Sequence, residues 1–260
     1  MTEQPTYVGG HKLLEGKTVL VTAAAGTGIG FATAIRCAEE GASGLVISDI
    51  HERRLGEAAE KIEAETGLLP ETIMCNVTKE DEVQAMFAHA IAKMGHVDIL
   101  MNNAGLGGFA KICDMTDDQW NLVLDVTLNG CFRCTRAGMK HMMQRGRGAI
   151  VNNASVLGWR AQEGQAHYAA AKAGVMALTR CAAIEAAEDS VRVNCVAPSL
   201  AMHPFLEKVT PPGLLEELKK REAFGRGAEP WEISNVMVFL ASDYSSYMTG
   251  EVLSVSNQRA

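Results

Sequence analysis

Tyr168-Ala-Ala-Ala-Lys172 places a phenol and an ammonium four residues apart, on one face of a helix. Ser155 stands 13 residues before Tyr168. A phenol holds its proton too tightly to serve as an efficient acid–base near neutrality, and a neighbouring ammonium favours the phenolate. A serine hydroxyl beside that pair could hydrogen-bond a substrate oxygen and steady the charge developing on it. Proton transfer to or from an alcohol or ketone oxygen is the chemistry such a trio suits. A polar face on a packed helix is the plainer reading of the same residues.

A second signal lies near the N-terminus. Gly26-Thr-Gly28-Ile-Gly30 follows the apolar run Thr18-Val-Leu-Val21 and opens a helical segment. Glycines at a strand-to-helix turn let the backbone approach a pyrophosphate, which then sits on the helix N-terminus. Taken alone they mark only a tight turn. Asp49 follows Gly30 by 19 residues, at the end of the next apolar run. A carboxylate there accepts ribose hydroxyls and repels a 2′-phosphate, which predicts NAD rather than NADP. His51, Arg53 and Arg54 close behind could accommodate that phosphate, or form a solvated first helical turn.

The elements that must position these groups alternate. Strands are predicted at Thr18–Val21, Gly44–Ser48, Thr72–Cys75, Val97–Met101, Ala149–Asn152, Val191–Cys195 and Glu251–Val255. Helices are predicted at about Ile29–Glu40, Glu52–Glu65, Glu80–Met94, Asp117–Gln144, Ala166–Ala187 and Trp231–Ala241. Such alternation means βαβ units. The fold class is α/β: one Rossmann-type doubly wound parallel sheet with helices on both faces. Residues 1–16 read as a polar arm and 17–260 as one catalytic domain. The proline-bearing stretch 199–227 breaks the rhythm and reads as a lid, with a short amphipathic piece at Leu214–Arg221.

Composition agrees with one large domain. The chain has 260 residues, 47% hydrophobic and 21% charged, and 24 basic against 31 acidic side chains give a net charge of −7. Nothing in that balance advertises nucleic-acid or membrane-surface binding. No membrane span or signal peptide is visible, and the reading is cytoplasmic. The seven cysteines are odd in number and irregularly spaced, so no disulfide framework is expected. Cys131-Phe-Arg-Cys134 lies in a helical stretch without partner ligands, which predicts packing rather than metal or redox duty.

These motifs, in this order, resemble the short-chain dehydrogenase/reductase family, over essentially all of Lys17 to Val255. The resemblance includes Asn102-Asn-Ala-Gly105 and Asn194-Cys-Val-Ala-Pro198. It implies Tyr168 as acid–base, Lys172 as its tuner and holder of the nicotinamide ribose, and Ser155 as the substrate-oxygen donor. It implies cofactor contacts from Thr22, Ala24, Gly26, Gly28, Ile29 and Gly30 in the first loop. Asp49, Asn76 and Val77 would follow after the second and third strands. Asn103, Ala104 and Gly105, then Pro198, Ser199, Leu200 and His203, would complete the cofactor site. Leu157, Trp159 and Phe205 would join Ser155 and Tyr168 around the substrate. Helices in the stretches 117–144 and 166–187 pack as a four-helix interface in relatives, which implies a homotetramer.

Several positions depart from the family pattern. Aligned on Gly28 and Gly30, Ala24 stands where the first loop glycine belongs, and Thr22 falls one residue early, so the loop holds one extra residue. Asn76 replaces an Asp that commonly contacts adenine. Thr127 stands where the family often has an Asn holding a proton-relay water; a hydroxyl could hold it instead. Ser199 replaces a Gly, His203 a Thr near the carboxamide, and Ser256-Asn-Gln258 an Asp-Gly-Gly.

The walls expected around the substrate are apolar: Leu200, Met202, Phe205, Leu206, Leu214, Leu215 and Phe224 in the lid, with Leu106–Phe109 and Leu157–Trp159 at the entrance. Lys208, Lys219, Lys220 and Arg221 could meet a CoA phosphate or form a solvated face. Ala23–Gly30, Asn152–Ala161 and Ala241–Tyr247 resemble a bacterial branch of the family acting in steroid degradation. That branch oxidises a ring hydroxyl on a hydroxylated methyl-oxo-hydroindane propionate or its CoA thioester. A 3-oxoacyl-thioester reductase using NADPH is the alternative within the family. A non-catalytic NAD(H)-binding protein is the alternative outside it, supported by the altered loop, Thr127 and Ser256-Asn-Gln258.

Overall fold

The computed structural model describes residues 5–203, 206 and 213–257. Seven strands are β1 (Thr18–Thr22), β2 (Gly44–Asp49), β3 (Glu71–Met74), β4 (Ile99–Asn102), β5 (Gly148–Asn153), β6 (Val191–Pro198) and β7 (Val252–Val255). They form one parallel sheet in the order β3-β2-β1-β4-β5-β6-β7. The helices are α1 (Ile29–Glu39), α2 (Glu52–Thr66), α3 (Glu80–Met94), α4 (Asp117–Leu124), α5 (Gly130–Arg145), α6 (Ala166–Ala186), α7 (Leu214–Arg221) and α8 (Pro230–Ala241).

Strand alternation divides the core into two layers. Val19, Val21, Ile47, Ile99, Met101 and Val151 pack with Ala34, Leu55, Ile62, Ile233 and Met237 of α1, α2 and α8. Leu20, Val46, Leu100, Ile150 and Val193 face the other way, against Met86, Phe87, Cys134, Met142 and Ala182 of α3, α5 and α6. The central strand β1 is buried throughout, as a strand covered on both faces must be. The edge strand β3 is largely exposed, which its sequence Glu-Thr-Ile-Met allows.

The single long helix expected from Asp117 to Gln144 is two helices joined by a π-helical turn at Asp125–Asn129. Its N-terminus is set by Thr116, whose side chain makes a capping box with Gln119. The arm is held to α1 by a buried ion pair. Arg36 and Glu40 meet at 2.7 Å; Arg36 donates to the carbonyls of Val8 and Gly9, and Glu40 accepts the N–H groups of His11 and Leu13.

Within 199–227, the outgoing and returning legs are pinned at their base. Ala201 bridges Ala228, the Ala228 N–H donates to the Leu200 carbonyl at 2.7 Å, and the Met202 N–H donates to the Ala228 carbonyl at 2.8 Å. Arg226 grips Glu232 of α8 with two hydrogen bonds, of 2.7 and 2.9 Å.

Candidate active site

The carboxyl ends of β1, β4, β5 and β6 gather where the strand order reverses, between β1 and β4. Open α/β sheets bind ligands in the crevice at such a point. Thr22, the last residue of β1, draws the next turn into place. Its Oγ1 accepts the N–H groups of Asn103 at 3.0 Å and Ala104 at 3.1 Å. The turn Asn102–Gly105 is thereby fixed against the glycine loop.

That loop leaves β1 through Ala23 and Gly26, at φ of +51° and +119°. Ala24 is buried, and its N–H donates to the Ser48 carbonyl at 3.0 Å. Helix α1 starts at Ile29, with Gly28 at its cap and no capping side chain, which leaves first-turn N–H groups without an internal partner. A Cβ built on Gly26 would meet nothing within 4 Å, and one on Gly28 only the His203 ring at 3.9 Å. The loop backbone is thus bare on that side, a cradle fit for a pyrophosphate. Gly30 serves packing instead: its Cβ would lie 2.3 Å from the Ala23 carbonyl oxygen and 2.4 Å from Asn103 Nδ2.

Asp49 is tied to the same loop. Its Oδ2 accepts the Ala25 N–H at 3.1 Å, and its Oδ1 accepts those of Ile50 at 2.8 Å and His51 at 3.2 Å. A carboxylate has about four acceptor positions, so one remains for a ribose hydroxyl. Burial pushes the Asp49 carboxyl above its ordinary pKa, against the lowering effect of the Ala25 and Ile50 N–H groups and the Arg54 charge. Asn76 gives its Oδ1 to the Thr78 N–H and hydroxyl, at 3.0 and 2.9 Å, which leaves its amide nitrogen to meet a base. Val77 packs on Gly130, where a Cβ would come within 2.6 Å of it. Bare loop, acceptor carboxylate and amide together fit a dinucleotide.

The residues expected from sequence to form the acid–base trio lie after β5 and on α6. Ser155 follows β5 and is buried; its Oγ accepts the Leu157 N–H at 3.2 Å and keeps its own hydrogen for a substrate oxygen. Tyr168 and Lys172 share one face of α6, and Lys172 Nζ lies 5.5 Å from the centre of the Tyr168 ring. The buried Nζ donates to the Asn153 carbonyl at 2.5 Å. A Cβ on Gly105 would be 3.4 Å from Nζ and 3.8 Å from Thr127 Oγ1, so the Asn102–Gly105 turn reaches the lysine.

Thr127 sits inside the π-helical turn and is buried. Its hydroxyl donates to the Leu106 carbonyl at 3.0 Å and accepts the Leu106 N–H at 2.9 Å. The hydroxyl expected to hold a relay water thus spends its hydrogen and one of its two lone pairs on the Leu106 backbone. It fixes the chain after Gly105, close to Lys172.

Other expected site residues fall in different places. Trp159 is half-exposed and lines a cleft of about 800 Å³ with Leu157, Ile112, Cys113 and the alanines of α6; Ser155 and Tyr168 are not among its walls. Leu157 touches Ser155 through its N–H and lines the same cleft as Trp159. His203 approaches Gly28 and accepts the Leu206 N–H at 3.2 Å through Nδ1. Ser199, after Pro198, donates to Val255 through its N–H at 3.1 Å and to the buried Glu222 through its hydroxyl at 3.4 Å. Phe205 and Lys208 lie outside the described residues. Lys219 pairs with Glu216 at 2.8 Å, while Lys220 and Arg221 are exposed. Cys131 and Cys134 are buried free thiols, and burial pushes Cys131 up to about 12. Sequence reasoning missed the bridging place of Asn153, and it read Leu106 only as an entrance wall, without its backbone bonds to Thr127. An amide at the carboxyl end of a buried strand was the available signal for Asn153.

Comparison with known proteins agrees with this geometry. A family model described as enoyl-(acyl carrier protein) reductase matches residues 23–257. A crystal structure of a short chain dehydrogenase from Mycobacterium smegmatis superposes with a TM-score of 0.88 at 54% identity, covering 100% of this chain and 99% of that one. The chain belongs to the short-chain dehydrogenase/reductase family. It is an oxidoreductase of alcohol and ketone groups, and the family binds a nicotinamide cofactor. A relative in Mycobacterium tuberculosis is 58% identical over 98% of this chain and 97% of its own. It is described as (5R,7aS)-5-hydroxy-7a-methyl-1-oxo-2,3,5,6,7,7a-hexahydro-1H-indene-carboxyl-CoA reductase. A 3-oxoacyl-[acyl-carrier-protein] reductase of Thermotoga maritima is 38% identical over 93% of this chain and 97% of its own. No helix among the described residues of this dehydrogenase/reductase is long and apolar enough to cross a membrane.

Proposed function

We propose that this dehydrogenase/reductase uses NAD(H) to interconvert a ring alcohol and a ketone on the CoA thioester of a bulky alicyclic acid from steroid degradation. The observation that carries the substrate class is the 58% identity, over 98% of the chain, to the hydroxy-methyl-oxo-hexahydroindene-carboxyl-CoA reductase. Support for NAD comes from Asp49, whose buried carboxylate would face a 2′-phosphate.

When bound, the nicotinamide supplies or accepts a hydride at the carbinol carbon. The chain's own residues handle the oxygen. Ser155, oriented by the Leu157 N–H, donates its hydrogen to that oxygen. Tyr168 exchanges the proton at the same atom. Lys172, anchored on the Asn153 carbonyl, presents its Nζ beside the Tyr168 ring and reaches for the ribose. Thr127 holds Leu106 and Gly105 against that lysine. In this reading the segment 199–227 serves as the lid of the substrate site, and the helices of the stretches 117–144 and 166–187 form the homotetramer interface. A reducing cytoplasmic setting suits the free thiols.

A 3-oxoacyl-thioester reductase using NADPH is the second reading, favoured by the 38% identity to the Thermotoga maritima enzyme. The two separate by turnover of purified protein. A hydroxy-methyl-oxo-hexahydroindene-carboxyl-CoA with NAD is expected to be oxidised. Reduction of a 3-oxoacyl-CoA by NADPH, with no reaction of the first pair, would replace the proposal by the second reading.

A further inference from the structure

We infer that Asn153 is a positioning residue that holds the altered glycine loop to the catalytic lysine; this rests on the cofactor reading above. Asn153 ends β5 and faces two ways. Its main-chain carbonyl accepts from Lys172 Nζ at 2.5 Å, while its side-chain Nδ2 donates to Asn103 Oδ1 at 2.9 Å. Asn103 in turn donates through Nδ2 to the Ala23 carbonyl at 3.0 Å.

The direction of this chain of bonds is not free. A carbonyl oxygen can only accept, so the Ala23 carbonyl fixes the NH₂ end of Asn103 toward the loop. Asn103 Oδ1 must then point at Asn153, and only a donor of the right length can fill it. An aliphatic side chain, as at Ile150 and Val151 of the same strand, would leave that oxygen without its bond.

The bridge also meets the loop where it is most constrained. Ala23 is a non-glycine residue at φ +51°, a conformation that needs outside support. Asn103 Nδ2 and the Ala23 carbonyl together fill the space that a Gly30 Cβ would enter, at 2.4 and 2.3 Å. The loop carries one residue more than the family pattern, and Ala24 where the first glycine belongs. Asn153 explains how that longer path stays ordered. It also joins the loop to Lys172, so that the pyrophosphate cradle and the acid–base site meet at one residue.

The test is a double-mutant cycle on cofactor affinity with Asn153→Ala and Asn103→Ala, reading NADH or NADPH fluorescence, whichever the wild type binds more tightly. Each single variant is expected to weaken binding about 10-fold, and the double about as much as the worse single, because both break one bridge. Wild-type affinity in Asn153→Ala, or a double variant weakened by the product of the singles, would overturn the inference. Amide hydrogen exchange in the cofactor-free protein gives an independent reading. Residues 23–30 should exchange about 10-fold faster in Asn153→Ala with β1 and β4 still protected, a change confined to the loop. Unchanged loop exchange would also overturn the inference. If Asn153→Ala does not fold, Asn153→Leu, closer in volume, carries the same two readings. Wild-type protein that binds neither nucleotide would overturn the cofactor reading, and the exchange experiment would then decide the bridge alone.

Discussion

Lys172 Nζ lies 5.5 Å from the centre of the Tyr168 ring, held there by a 2.5 Å hydrogen bond to the Asn153 carbonyl. An ammonium has three hydrogens, so two remain for a ribose and the phenol side of the site. Tyr168→Phe removes the exchangeable proton and leaves this geometry alone. Turnover should fall at least ~10²-fold, with cofactor affinity within about twofold of wild type. Steady-state kinetics paired with a nucleotide titration checks both halves.

Asp49 predicts both cofactor choice and its pH dependence. Asp49→Ala removes the charge that repels a 2′-phosphate, so the preference for NAD over NADP should weaken. In the wild type, burial holds the carboxyl above its ordinary pKa, so acid neutralises it earlier than an exposed Asp. The ratio of kcat/KM for NAD to that for NADP should therefore narrow as pH falls from neutrality toward the ordinary Asp value of about 3.9. A constant ratio over that range would show that Asp49 is not the selector.

Two glycines should fail differently. Gly30→Ala drives a Cβ to 2.3 Å from the Ala23 carbonyl, a backbone atom that cannot swing aside. Overpacking of this kind costs about 1–3 kcal/mol, and thermal unfolding should report it. Gly28→Ala meets only the His203 ring at 3.9 Å. Its stability should change by less than about 1 kcal/mol, while nucleotide affinity falls because the new methyl occupies the cradle.

Asp98 ties the start of β1 to β4 and α5. It accepts from Thr18 N–H at 3.0 Å, Thr18 Oγ1 at 3.1 Å and Arg145 at 2.9 Å. Burial alone would raise its pKa, but the Thr18 N–H and the Arg145 guanidinium outweigh it and hold the carboxyl below its usual range. A depressed folded-state pKa means the unfolded chain takes up the proton first. The stabilisation is therefore complete above the unfolded Asp value of about 3.9 and is lost as pH falls through the folded value. Asp98→Asn should cost about 2–4 kcal/mol near neutrality and flatten the acid limb of the stability curve. Denaturant unfolding across pH measures both.

Much of this was legible in the sequence because the signals were local. The alternation of apolar runs with helical segments set the parallel sheet, and glycines followed by Asp49 marked its switch point. The π-helical turn at Asp125–Asn129 was not legible, because its residues have ordinary helical preferences and the contact it carries, Thr127 with Leu106, is tertiary. Trp159 was expected at the substrate because of its nearness in sequence to Ser155. The 3-10 turn Val156–Gly158 leads from Ser155 to Trp159, which lines a cleft shared with Leu157. Asn153 went unread because its partner, Asn103, is 50 residues away.

The most direct test of the central claim follows nicotinamide absorbance with two pairings side by side: a hydroxy-methyl-oxo-hexahydroindene-carboxyl-CoA with NAD, and a 3-oxoacyl-CoA with NADPH. Turnover of the first pair alone is the predicted result, and joins the Asp49 argument to the steroid-derived thioester. Turnover of the second pair alone would contradict the account and make the protein a general acyl-thioester reductase.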